Sequence, residues 1–231
     1  MPYRAILAVI LTLAAASAAF ATAEHRYGKN EYAIIAGGRA PNGKLSVAAH
    51  GESETGAENF RLSLMAEPGH RKLMTLDNVG DDNILDSAPD AFHAAWSPDS
   101  RYVAVTFRSE RHIVTLNLYA VEGGRAKLVD APDLFRQAAG RTVNIKEDGD
   151  MRTSVPALTW QAPRRLHLTD DRVFVEDDAT LADKLGAFGK ATKMDDGRVS
   201  IEFSAEADGE IGDGGRISVG KLQPGKFPFG E

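Results

Sequence analysis

A chain of 231 residues with 33 acidic against 27 basic side chains, net −6, has no concentration of Lys and Arg with which to hold nucleic acid or an anionic lipid surface. Pairs such as Arg71-Lys72 and Arg164-Arg165 are too small to reverse that balance. The absence of cysteine removes disulfide staples, thiolate metal sites, thiol nucleophiles and redox switching together, so stability must come from burial.

The first element is a leader. Met1-Pro2-Tyr3-Arg4 precedes an apolar run from Ala5 to Phe20, and Ala21-Thr22-Ala23 follows. A basic start, an apolar middle and small residues at the two positions that a signal peptidase reads predict a signal peptide over 1–23, cleaved after Ala23. The run is shorter and more alanine-rich than the roughly 20 strongly apolar residues of a spanning helix. No cysteine follows to accept lipid and no second long apolar run appears, so the expected product is periplasmic or secreted and free of the membrane after cleavage.

Beyond the leader, short alternating segments separated by turn residues predict strands. They cover Glu31 to Ala36, Lys44 to Ala49, Phe60 to Met65 and Lys72 to Leu76, with Gly37-Gly38, Pro41-Asn42-Gly43 and Glu67-Pro68-Gly69 as connections. In Phe60 to Met65, Phe60, Leu62 and Leu64 share one face, opposite Arg61, Ser63 and Met65. Further strands are expected at Tyr102 to Phe107, Ile113 to Val121, Ala126 to Val129, Ala157 to Trp160, Arg165 to Leu168, Val173 to Glu176, Arg198 to Ser204 and Arg216 to Lys221. Helix signals are few: Pro132 to Ala139 stopped by Gly140, and Asp178 to Lys190, whose second half is weakened by Gly186 and Gly189.

A repeat runs through this pattern. Pro41-Asn42-Gly43-Lys44-Leu45-Ser46-Val47-Ala48 overlies Pro98-Asp99-Ser100-Arg101-Tyr102-Val103-Ala104-Val105, and each copy continues into a loop, a strand, a turn and a further short strand. The segment Ala94-Ala95-Trp96-Ser97-Pro98-Asp99-Ser100-Arg101 and its apolar strand resembles the WD40-like repeat of bacterial propellers of the TolB type. Trp96, Ser97, Pro98 and Asp99 carry that likeness as a structural motif: Pro98 fixes φ, Asp99 bonds the turn backbone and Trp96 is a packing wedge. Ser100 stands where the family usually has glycine. The resemblance implies blade-like meanders near 31–77, 92–130 and 157–204 within a single β-rich domain, 24–231. The expected fold class is all-β, mainly antiparallel meanders, small or divergent β-propeller-like, with an open sandwich as the alternative and one or two short helices.

Catalytic signals are sparse. His25, His50, His70, His93, His112 and His167 form none of the spaced pairs that bind zinc, and no nucleophile elbow surrounds Ser53 or Ser97. Gly37-Gly38-Arg39 and Gly212-Asp213-Gly214-Gly215 read as tight connections rather than phosphate loops. No cofactor is expected. The acidic runs at Asp81-Asp82, Glu147 to Asp150, Asp170-Asp171, Glu176 to Asp178, Asp195-Asp196 and Glu206 to Asp213 are of the kind from which calcium takes oxygen ligands, though none has the spacing of a calcium-binding loop.

The reading is an exported, non-catalytic binding or protein-interaction module whose partner is another exported or envelope protein or a small ligand. The alternative is an exported hydrolase of glycans or esters using loop carboxylates. An aromatic surface patch from Phe60, Tyr119 or Phe135 would favour the first, and carboxylates converging on His50 or His93 the second.

Overall fold

The computed structural model describes residues 22–141, 150–177, 179–213 and 215–227. Of the expected leader, only Thr22 and Ala23 fall within them, and the acidic segment 147–149 lies outside.

The strands form three successive antiparallel groups. β1 (Ala33–Arg39), β2 (Leu45–Glu52), β3 (Glu58–Ala66) and β4 (Arg71–Gly80) make the first meander. β5 (His93–Trp96), β6 (Tyr102–Glu110), β7 (Ile113–Glu122) and β8 (Arg125–Val129) make the second. In the third, β9 (Asp150–Ala162) pairs β10 (Arg165–Glu176), which pairs β12 (Val199–Ile211). The other edge of β12 is covered in turn by β11 (Gly189–Lys193), β14 (Gln223–Pro224) and β13 (Ile217–Val219). Two short parallel contacts, Ala36 with His93 and Ile113 with Ser154, join the groups into one 14-stranded mixed sheet that does not close into a barrel. The stretches 31–77 and 92–130 fall on the first two meanders.

The period of a strand explains how the groups pack. Successive side chains point to opposite faces, and both faces of the middle meander are apolar. Val103, Val105, Phe107, Tyr119 and Val121 enter a core shared with β1–β4, alongside Phe60, Leu62 and Leu64. Tyr102, Ala104 and Leu118 enter a second core with Leu166, Leu168, Phe174, Ile201 and Phe203. The middle meander is thus packed on both sides. Polar clips fasten it to the first: Tyr119 Oη donates to the Asp77 carbonyl at 2.5 Å, Asn117 Nδ2 to the Asn78 carbonyl at 2.8 Å, and Asn42 N–H to Ser100 Oγ at 3.1 Å.

Two short helices lie against the second core. α1 (Leu134–Ala139) is capped by Asp133, whose Oδ1 accepts from Arg136 N–H, and ends at Gly140 with φ +75°. α2 (Thr180–Leu185) is shorter than the expected 178–190 helix. Gly186, at φ +52°, breaks it into a 3₁₀ turn, and Gly189 begins β11.

Two further departures share a cause. The expected strands Arg165 to Leu168 and Val173 to Glu176 are one strand, β10, and β12 runs on to Ile211 through the acidic residues expected as loop. In β12, Ala205, Ala207 and Ile211 are buried while Asp208 and Glu210 face out, so the carboxylates occupy the solvent side of a strict alternation. In β10, Asp170 and Arg172 sit on the inward face and neutralise each other there, which hides the apolar period from a reading by residue type. Gly37 and Gly38 lie inside β1 rather than in a connection. A side chain at Gly37 would come within 2.2 Å of the Ala94 carbonyl, so the close approach of β1 to β5 requires glycine.

Candidate ligand-binding cleft

The Trp-Ser-Pro-Asp segment forms a closed turn. Ser97 Oγ accepts from Tyr102 N–H at 2.9 Å and Arg101 N–H at 3.2 Å and donates to Asp99 Oδ1 at 2.7 Å, while Ser97 and Tyr102 also bond through their main chains. Ser100 is left-handed, φ +60°, where the family resemblance has glycine, and its hydroxyl anchors the Asn42 turn of the first meander. Trp96 packs into the first core, 8% exposed, and donates Nε1–H to the Gly38 carbonyl at 2.9 Å. Trp96, Ser97, Pro98 and Asp99 therefore support a site rather than form one. The turn delivers Arg101 to the end of the molecule where β6 starts, β7 ends and the β9–β10 turn arrives.

A cleft of about 890 Å³ opens there between the second and third strand groups. Tyr102, 8% exposed and stacked on Trp160 at 6.0 Å between ring centres, lies in its wall. Arg101, Lys127 of β8, Arg136 of α1, Arg164 of the β9–β10 turn and Arg216 before β13 surround it, against three acids, Glu122, Asp130 and Asp133. The balance is thus positive in a chain whose total is −6. Asp133 is already engaged, since it caps α1 and takes Arg172 Nη2 at 2.8 Å. Arg164 reaches Asp213 at 2.9 Å, an exposed pair that binds it weakly. Among the described residues, Arg101, Lys127, Arg136 and Arg216 have no carboxylate within 4.0 Å.

The main chain beneath these cations is fixed. The carbonyls of Arg101, Arg136, Arg164 and Arg216 accept from Val121, Gly140, Ile211 and Gly212 N–H at 2.7, 2.9, 2.9 and 2.9 Å. Below α1, Arg172 lies between Asp170 Oδ2, at 2.7 Å, and Asp133, with its guanidinium 5.2 Å from the centre of the Phe135 ring. Burial works against its charge, and the two carboxylates overcome that and hold it protonated. The helix that carries Arg136 is thereby pinned to β10.

The other sequence candidates lie apart. Phe60, Tyr119 and Phe135 are fully interior and build no surface patch. His50 stacks on Tyr32 with Nδ1 at 2.6 Å from the Glu31 carbonyl. His93 borders a small groove with Asp86, both of whose oxygens are taken by Arg108 at 2.6 and 2.7 Å. Among the described residues neither histidine meets converging carboxylates, and no cluster of His, Asp and Glu is arranged to hold a metal ion. No helix of the described residues is long and apolar enough to cross a membrane. The cleft's cations were missed as a group because they are scattered from position 101 to 216. The one local signal was the basic residue that follows each of the two proline-containing turns, Lys44 and Arg101. No protein-family model matches this chain, and no curated protein matches it in sequence.

Proposed function

We propose that the protein is an exported, non-catalytic binding module of TolB-like, blade-forming meanders that captures an anionic ligand in the cleft between its second and third strand groups. The carrying observation is the set Arg101, Lys127, Arg136 and Arg216, which line one cleft and, among the described residues, have no carboxylate within 4.0 Å, on a chain of net charge −6. Like charges held together repel, and the arrangement gains most when an anion enters. Arginine prevails, and its planar fork suits carboxylate or phosphate groups. Among exported molecules that chemistry belongs to acidic segments of envelope proteins and to small phosphorylated or carboxylated ligands.

Titration calorimetry of the mature protein with a hexaglutamate peptide and with inorganic pyrophosphate tests the reading and separates the two sources. Binding of one probe, weakening with added salt and lost in Arg101→Glu/Arg216→Glu, is the expected result. A distant control, Lys190→Glu on β11, should bind as wild type. Absence of binding by both probes, or equal binding by the charge-reversed protein, refutes it.

A further inference from the structure

Ala23 is built into the body of the protein. Its N–H donates to Asp86 Oδ1 at 2.7 Å, and its carbonyl accepts from the N–H groups of Ser87 at 2.9 Å and Ala88 at 3.1 Å. The same seam continues along the chain: Ser87 Oγ accepts from His25 N–H at 3.3 Å and donates to the Thr55 carbonyl, and Tyr27 Oη donates to the Ser87 carbonyl at 2.6 Å. The groups that receive Ala23 are interior, with Asp86 and Ser87 2% exposed and Ala88 8% exposed.

At the end of the apolar run the small-residue rule for leader cleavage is met at two overlapping places, Ala21-Thr22-Ala23 and Ala19-Phe20-Ala21. The two cuts leave different proteins. A cut after Ala23 removes the whole peptide unit of that residue. Asp86 then loses a donor, and the buried N–H groups of Ser87 and Ala88 lose their acceptor, an arrangement that interiors avoid. A cut after Ala21 keeps every bond of the seam and places the new terminus on Thr22, which is exposed, so that its ammonium stays in water.

We infer that the mature protein begins at Thr22, released when water adds across the Ala21–Thr22 amide: the C–N bond breaks, Ala21 keeps the carboxylate and Thr22 the ammonium. The inference rests on the reading of the first residues as a leader, and replaces the cut after Ala23 that the sequence pattern suggests. The full chain, expressed in a bacterium with a periplasm, is recovered from the exported fraction and its intact mass and N-terminal sequence are determined. A start at Thr22 is expected. A start at Glu24, or at any other processed position, overturns the inference and leaves export standing. A chain found only with its first residues intact overturns the leader reading itself. The variant Ala23→Leu supplies a second arm. A bulky residue blocks cleavage directly after it, yet as the second residue of the product it leaves processing unchanged, so accumulation of the Ala23→Leu precursor also overturns the assignment.

Discussion

His70 has an acceptor on each ring nitrogen: Glu67 Oε1 lies 2.9 Å from Nδ1 and the Tyr32 carbonyl 2.6 Å from Nε2. A neutral imidazole has one N–H, so both bonds are satisfied only by the imidazolium. The Glu67 hydrogen bond first, then the Tyr32 carbonyl, raise the His70 pKa above its ordinary value, and His70 and Ser46 in turn lower that of Glu67. Because the folded-state pKa of His70 is raised, its contribution is complete below the unfolded value near 6.5. It fades as pH climbs through the higher folded-state value. The melting temperature should therefore fall over that interval in the wild type relative to His70→Gln, which lacks this component. Parallel melting curves against pH for the two proteins would contradict it. Arg172 is the other residue on which much turns. Its loss leaves Asp170, whose side chain is 5% exposed, without its counter-charge. Arg172→Ala should cost about 3–5 kcal/mol in denaturant titration. Arg172→Leu combined with Asp170→Leu should recover most of it, because no buried charge is then left alone.

At the scale of elements, the contact of β1 with β5 depends on a few atoms. One parallel pair, Ala36 with His93, joins the strands, the Trp96 indole bonds to Gly38, and Gly37 allows the backbones to approach. Trp96→Ala opens a large void in the first core and deletes the indole bond, for an expected loss of about 3–5 kcal/mol. A purified variant melting within a degree or so of wild type would remove Trp96 from this role. Gly37→Ala meets both a positive φ, +66°, and the Ala94 carbonyl at 2.2 Å. It should lose at least the roughly 1–3 kcal/mol of a strained backbone position. Ser100 shows the opposite balance: its left-handed conformation carries a cost, and its hydroxyl accepts from Asn42 N–H at 3.1 Å, tying the second meander to the first.

For the molecule as a whole, the two-sided packing of β5–β8 makes the cores mechanically one. A chain whose middle layer belongs to both should lose them together. The two tryptophans allow this to be seen, since Trp96 lies in the first core and Trp160 packs against the second. In Trp160→Phe and in Trp96→Phe, fluorescence and far-ultraviolet circular dichroism should give coincident unfolding midpoints within each variant. A fluorescence transition separated from the dichroism one would show that the cores melt independently. Stability should be insensitive to charge reversal at the exposed cleft residues, within about 0.5 kcal/mol, so the binding test reads the cleft and not the fold.

The sequence by itself determined the β character, the strands of the first two meanders other than β5, the helix stopped at Gly140 and the turn from Ser97 to Arg101. Each of these is written locally, in alternation, turn residues and caps, within a window of a few residues. What only the tertiary structure decided has longer reach. Asp170 and Arg172 fit an inward face because they meet each other and Asp133, and the acids of β12 fit a strand because apolar residues alternate with them against a distant core. Phe60, Tyr119 and Phe135, chosen as surface aromatics, are interior because the inward faces of β3 and β7 carry the first two into the first core and α1 lays the third on the second core. The cationic cleft is the extreme case. Arg101 and Arg216 are neighbours only through the pairing of strands far apart in the chain, and net charge, being a sum over all residues, conceals a local excess of opposite sign.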